Sequence, residues 1–434
     1  MTFFQFHPNV RLRIALSFLT NVLSNMILPF MSIYIARTLG TAVAGTATTI
    51  SIAVGLLAAT IGGHYADRIG RKKMMLLGEG VALLAYVIMT FANSPLWHSA
   101  ALTLLMTVIS SASWGLSKPA VEAMLIDVST PDTRKAIYRI NYWSNNLAIS
   151  FAGLIGGFFF SQYLFQLLLA ASGMSLVAFM ITAIFMSETM PAMVPAAERA
   201  ATDLPAGAEA EAAVKPQQVS MFERYKEVLR DRRFVRYLLA SVLVVSVEMN
   251  LNGYIGVRIA QDIQHTPWLP GLAATVDGLP LVGILRTENT IAVVLLSLFV
   301  GRLLRNSSDT RVMLLAMFLN VAGYSYLVIG GQPAMLLLLM LVATIGEITY
   351  VPLKQAMLVQ LVPDHARSSY MALSSMTNRV AMMLSGLNLI IGGLLPSGAM
   401  AIFILVTGVA GIGLIASILP SLREEERVRQ AAVL

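Results

Sequence analysis

A few ionisable side chains stand inside long apolar stretches of this sequence: the acids Glu122, Glu248 and Glu347 and the bases Lys118, Lys354 and Arg379. A charge near the centre of a bilayer is costly, so each such residue is a candidate for handling an ion or a substrate. At a rise of ~1.5 Å per residue, Glu248, Glu347 and Arg379 fall about 15–21 Å from the cytoplasmic ends of their helices, close to the midplane. Lys118 is similarly deep, Glu122 and Lys354 lie about 9 Å in, and Asp127 sits at the edge. A carboxyl group withdrawn from water can hold a proton near neutral pH and release it when a cation arrives. Glu347 suits that role, because its own helix places no base one turn away; Lys354 is two turns on. Glu248 suits it too, although Asn250 and Asn252 nearby fit a polar helix interface equally well. Lys118 and Glu122, spaced i,i+4, read either as a fixed ion pair or as part of a proton path.

Polar and aromatic residues at other positions could line a substrate cavity: Asn21, Asn25, Asn141, Tyr142, Trp143, Asn145, Asn146, Asn252 and Tyr350, beside Lys118 and Arg379. The competing reading is hydrogen bonding between helices for the amides and lipid contact for the rings. The 25 methionines include Met249, Met357, Met376, Met382 and Met383, and flexible thioethers suit promiscuous surfaces. Enzyme constellations are absent: the five histidines lack metal-ligand spacing, there is no cysteine, and no phosphate-binding glycine loop occurs. No cofactor is expected.

The elements that hold these residues must be membrane helices. The chain has 434 residues, 57% hydrophobic and 12% charged, with a mean hydropathy of +0.73. Continuous apolar runs of about 20 residues exclude a soluble single-core enzyme and an outer-membrane barrel. Runs and punctuation predict spans near 12–36, 42–64, 74–93, 99–128, 137–161, 165–187, 234–260, 287–304, 311–330, 333–360, 369–395 and 398–420. The first run, with Asn21, Asn25 and Pro29, reads as a retained helix. Of the 30 Lys and Arg residues, 24 fall at the termini or in even-numbered loops. By the positive-inside rule the chain is expected in the plasma (inner) membrane with both termini cytoplasmic, and its net charge of +7 is topology, with no nucleic-acid partner. Arg37, Lys118, Arg258, Arg286, Lys354 and Arg379 are the six exceptions.

Residues 188–233 differ from their surroundings. Pro191, Pro195, Pro205 and Pro216 among Ala and Glu read as a linker. Met221, Phe222, Tyr225, Val228 and Leu229 then recur at helical spacing among basic residues, as in an amphipathic helix on the cytoplasmic leaflet. The expected organisation is therefore an N-terminal six-helix half over 1–187, this linker, and a C-terminal half over 234–434.

The two halves share a repeat. Pro119-Ala-Val-Glu122-Ala-Met-Leu-Ile-Asp127 recurs as Pro352-Leu-Lys-Gln355-Ala-Met-Leu-Val-Gln360, at a constant offset of 233 residues. Both copies run into exit loops holding Pro131-Asp132 with Arg134 and Pro363-Asp364 with Arg367. Parallel repeats of this kind enclose a central cavity that opens alternately to each side, which is secondary-transporter architecture. No filter sequence of a channel is visible.

The loop Gly63-His64-Tyr65-Ala66-Asp67-Arg68-Ile69-Gly70-Arg71-Lys72-Lys73 resembles the signature of the major facilitator superfamily. The resemblance implies an all-α fold of twelve transmembrane helices in two pseudo-symmetric halves. It also implies a gating role for Gly63, Asp67, Arg68, Gly70 and Arg71: Gly63 for close helix approach, Asp67 as an acceptor across the interface between halves. Ala152-Gly153-Leu154-Ile155-Gly156-Gly157 resembles the end of the antiporter motif of drug/proton antiporters, with Gly153 where that motif has proline; small-residue helix packing explains it as well. Ala123–Asp127, Arg134-Lys135, Asn141–Leu147 and Gly346–Pro352 are similar to multidrug exporters of the LmrP type. By that resemblance Asp67, Asp127 and Glu347 match carboxylates that matter in the family, and Asp127 joins Glu347, Glu248 and Glu122 as a candidate for proton coupling. Asn141 and Asn252 stand where family carboxylates are expected, and Glu122 where an amide is.

The reading that follows is a proton-driven exporter of hydrophobic, often cationic compounds, working as a monomer among membrane lipids by alternating access. A flippase for lipids or lipid conjugates, or a dedicated metabolite exporter, would use the same scaffold; a non-transporting sensor or scaffold is the reading from a different class.

Overall fold

A computed structural model of the chain describes residues 6–189, 226, 228–303, 310–363 and 367–433. The first half comprises α1 (Pro8–Leu39), α2 (Thr41–Ile69), α3 (Arg71–Phe91), α4 (Ala100–Asp127), α5 (Pro131–Phe159) and α6 (Leu164–Phe185). The second comprises α7 (Arg232–Met249), a 3-10 turn (Asn250–Asn252), α8 (Tyr254–Asp262), α9 (Gly278–Leu303), α10 (Thr310–Leu327), α11 (Pro333–Leu361), α12 (Arg367–Gly392) and α13 (Ser397–Val433). Among the described residues, nine helical segments are long and apolar enough to cross a membrane, α7 and α8 counting as one. Two short hairpins, β1 (Asn93–Ser94) with β2 (Trp97–His98) and β3 (Thr266–Pro267) with β4 (Thr275–Val276), close loops on one face.

The packing obeys the repeat. In the first half α2 packs on α4, α3 on α4 and α6, and α1 on α5; in the second, α9 packs on α11, α10 on α11 and α13, and α7 on α12. Across the halves, α5 meets α9 and α2 meets α12, a pair of contacts related by the same pseudo-two-fold axis. Pro119 in α4 and Pro352 in α11 each lie inside a helix at corresponding positions. Two six-helix halves thus build an all-α membrane protein.

Glycines make both seams close. A Cβ on Gly283 of α9 would come within 2.4 Å of the Gly153 carbonyl of α5, and one on Gly45 of α2 within 2.6 Å of the Gly386 carbonyl of α12. Hydrogen bonds reinforce this side: Thr287 Oγ1 donates to the Ser150 carbonyl at 3.0 Å, Ser32 Oγ to the Asn252 carbonyl at 3.2 Å, and Arg37 to the Ala260 carbonyl. All of these contacts lie in the half of the molecule away from the two termini. Near the terminal face, Tyr142, Trp143, Met371 and Met376 are exposed.

Two span predictions need correction. The seventh span is a broken helix, because the chain turns through Asn250–Asn252 and Gly253 before α8 resumes. The eighth begins at Gly278 rather than near 287, so Arg286, one of the six basic residues outside the cytoplasmic pattern, lies within the helix, buried at 8% exposure. Most of the predicted linker and amphipathic helix, including Met221, Phe222 and Tyr225, lies outside the described residues. Of it, Val228 is buried with Phe234 and Tyr237.

Candidate functional site

The second half gathers the deep charges. Glu248 at the end of α7 lies within electrostatic reach of both Glu347 and Lys354 on α11, with Tyr350 beside it. Glu347 and Tyr350 are three residues apart and Lys354 four further on, which stacks all three along one side of α11. Lys354 Nζ stands 5.6 Å from the centre of the Tyr350 ring, a cation–π distance. Asn289 of α9 donates to Glu347 Oε2 at 3.1 Å and lies 3.0 Å from Thr344 Oγ1. Tyr324 of α10 completes the surroundings, close enough to feel both carboxylates. Four helices therefore converge on two carboxylates and one ammonium. The Tyr350 hydroxyl is buried beside the Glu248 carboxyl, one oxygen of which has no close hydrogen-bond partner among the described residues.

Gly346 explains how α10 and α11 approach here. Its Cβ would fall 2.4 Å from the Ala316 carbonyl and 2.7 Å from Asn320 N. Asn320 in turn donates to the Ala343 carbonyl at 3.2 Å. The predicted cavity residue Tyr350 is fully buried, so it belongs to the wall of the charge cluster.

Lys118 and Glu122 pair at 3.9 Å, but their side chains are 40% and 59% exposed. They occupy, with Trp114, the face of α4 opposite its buried stripe of Met106, Ser110, Ser113, Ala120 and Met124, and Lys118 Nζ lies 4.9 Å from the Trp114 ring. The i,i+4 spacing does bring the two groups together, on a face of α4 that its neighbouring helices leave uncovered, so the fixed-pair and proton-path readings both stand. Asn25 donates to the Asn21 carbonyl and Asn146 to the Tyr142 carbonyl, each at 2.9 Å, so these amides are partly spent on their own helices. Asn141, Asn145 and Arg379 are half-buried, and Tyr142 is 54% exposed. Asn252, at the break between α7 and α8, accepts from Arg286.

At the terminal face Arg71 donates to Asp67 and sits 3.4 Å from Asp127 Oδ2. Glu188 receives the backbone N–H groups of Arg71 and Lys72 at 2.9 and 3.1 Å, capping α3. Asp67 therefore pairs within its own half, with a side chain 72% exposed, and does not reach across the interface in this arrangement. Nor does Gly63 permit the close approach: its Cβ would meet only Pro119 at 3.7 Å, whereas Gly62 would meet the Leu116 carbonyl at 2.4 Å. Arg68 is exposed, and Gly70 adopts φ +97 to +109 territory with Gly40, at +109° itself. Of the span-five glycines, Gly153 and Gly157 face α9 while Gly156 meets Phe30 and the Met26 carbonyl of α1, so all three serve packing.

Sequence reasoning passed over several charges. Glu79 of α3 pairs with Arg13 of α1 at 2.9 Å, their side chains 10% and 9% exposed. Glu288 is half-buried on α9, with one buried oxygen lacking a hydrogen-bond partner. Both acids sit inside predicted apolar spans, and a plain count of acids within the spans finds them.

The chain matches the family model described as Major Facilitator Superfamily over residues 14–285 and 265–433. It is 26% identical to a Na(+), Li(+), K(+)/H(+) antiporter of Planococcus maritimus over 384 residues, 88% of each chain. It is 27% identical to the multidrug resistance protein MdtH of Sodalis glossinidius (strain morsitans), covering 80% of this chain and 77% of that one. Among solved structures, a POT family transporter in complex with 5-aminolevulinic acid superposes with a TM-score of 0.70 at 13% identity, covering 96% and 97% of the two chains. The nucleoside transporter NupG gives 0.69 at 14% identity, covering 95% and 99%. A model match across nearly the whole chain, a mirrored pair of six-helix halves and a shared fold together identify this membrane protein as a secondary transporter belonging to the major facilitator superfamily.

Proposed function

We propose that the chain exports hydrophobic, cationic compounds from the cell in exchange for protons. The carrying observation is the cluster of Glu248, Glu347 and Lys354. Fully ionised, two carboxylates and one ammonium leave one negative charge in surroundings that solvate it poorly. Either a proton or a cationic substrate cancels that charge. The two compete for one site, and competition between them across an alternating-access cycle is antiport. Exposed Tyr142, Trp143, Met371 and Met376 supply an apolar, adaptable surface for the body of such a compound. The same logic serves a small inorganic cation, and the relative from Planococcus maritimus favours that second reading.

Reconstitution in liposomes with an imposed pH gradient tests the proposal. The expected result is gradient-driven movement of an organic cation such as ethidium, abolished by collapsing the gradient. Movement of sodium or potassium with no movement of ethidium would support the second reading. Transport of ethidium indifferent to the gradient would contradict both.

A further inference from the structure

Arg37 breaks the pattern that places most basic residues toward the terminal face, and the fold suggests a reason. It lies near the end of α1, at the rim of a cavity of about 500 Å³ on the face opposite the termini. That volume lies within the roughly 300–1,000 Å³ of small-molecule sites. The cavity is separate from the Glu248–Glu347–Lys354 cluster, and it bridges the two halves: Tyr34 and Arg37 come from α1, His98 from β2, Phe165 and Gln166 from α6, and Leu279 from α9 of the second half.

Among its polar lining residues, Arg37 carries the one fixed charge and is a donor only. Asn93 gives its amide N–H groups to the Met89 carbonyl at 2.8 Å and to Thr103 Oγ1 at 2.8 Å, which turns its oxygen toward Tyr34. The Tyr34 hydroxyl donates to that oxygen at 3.0 Å. With its one proton so committed, the hydroxyl can only accept from His98 Nε2, 3.3 Å away. Arg37 spends one N–H on the Ala260 carbonyl across the halves, and a guanidinium carries five. Among the described residues, no aspartate or glutamate lines the cavity. Phe165 and Leu279 provide an apolar wall.

We propose that this cavity binds a small amphipathic anion, a carboxylate or phosphate group on an apolar body, with Arg37 holding the charged end. Such a ligand would touch both halves at once, and so would favour the arrangement in which this face is closed. Two sources carry this chemistry: a free organic anion and the headgroup of an anionic lipid.

Binding of 4-phenylbutyrate and of its uncharged amide to the purified full chain in phosphatidylcholine nanodiscs tests the inference. The carboxylate should bind and the amide should bind at least about tenfold more weakly, as expected for loss of a charge-assisted hydrogen bond. Arg37→Gln should weaken carboxylate binding to a similar degree, and Arg37→Lys should restore part of it. Gln166→Trp, at an exposed lining position, should block the cavity while leaving the Arg37–Ala260 bond in place. Nanodiscs containing phosphatidylglycerol distinguish the sources: competition with 4-phenylbutyrate assigns the lipid headgroup, and undiminished binding assigns the free anion. No binding of 4-phenylbutyrate to the wild type, equal binding of acid and amide, or binding unaffected by both Arg37→Gln and Gln166→Trp would overturn the proposal.

Discussion

Arg13 and Glu79 are 9% and 10% exposed, whereas Lys118 and Glu122 are 40% and 59% exposed, and the difference decides what each pair contributes. Removing one member of a buried pair leaves an uncompensated charge and costs roughly 3–5 kcal/mol. Glu79→Gln should therefore sharply lower the thermal midpoint in detergent, while the double variant Arg13→Met/Glu79→Leu should recover most of it. An exposed pair contributes about 0.2–1 kcal/mol, so Glu122→Gln should leave the midpoint nearly unchanged. If Glu122→Gln nonetheless abolishes gradient-driven efflux, its role is in transport and not in folding. A large drop in midpoint for Glu122→Gln would show instead that the pair holds the fold together. Residue identity made these charges visible in the sequence, but their burial was not: i,i+4 spacing shows that Lys118 and Glu122 can meet and says nothing about which face of α4 is covered. Arg13 and Glu79 come together from helices separated by 66 positions, which no local pattern encodes.

At the scale of elements, the seams α5–α9 and α2–α12 consist of backbone against backbone at Gly153, Gly157 and Gly283 and at Gly45 and Gly386. Gly283→Leu places a side chain where 2.4 Å separates a Cβ from a carbonyl, so the helices must part. The expected outcome is a shift toward the arrangement open opposite the termini, read as a longer distance between spin labels at exposed sites on that face. Unchanged distances in a folded Gly283→Leu protein would mean the seam tolerates the bulk. The spans and the repeat were legible because apolar runs and the Pro119/Pro352 correspondence are local features of the chain. The break at Asn250–Asn252 was not legible, since no proline marks it and Gly253 alone is a weak signal. The signature resemblance singles out Gly63, yet in this arrangement its neighbour Gly62 makes the tighter approach to α4.

For the whole molecule, the halves meet opposite the termini, and the signature loop is held within the first half by the Asp67–Arg71–Asp127 contacts. If Asp67 changes partner when the terminal face closes, Asp67→Asn should shift the population between the two arrangements with little change in thermal midpoint. Label distances across the terminal ends of the halves, identical in wild type and variant, would contradict this. The deep carboxylates were nameable from the sequence, but their meeting with Lys354, Asn289 and Tyr324 depends on four helices and emerges only in the fold. The central claim is that a proton and a cation compete at Glu248 and Glu347. Its most direct test is proton release when ethidium binds to the purified protein in weakly buffered solution. The wild type should release protons on binding, and Glu248→Gln/Glu347→Gln should release none; a double variant that binds ethidium and releases as many protons as the wild type would contradict the account.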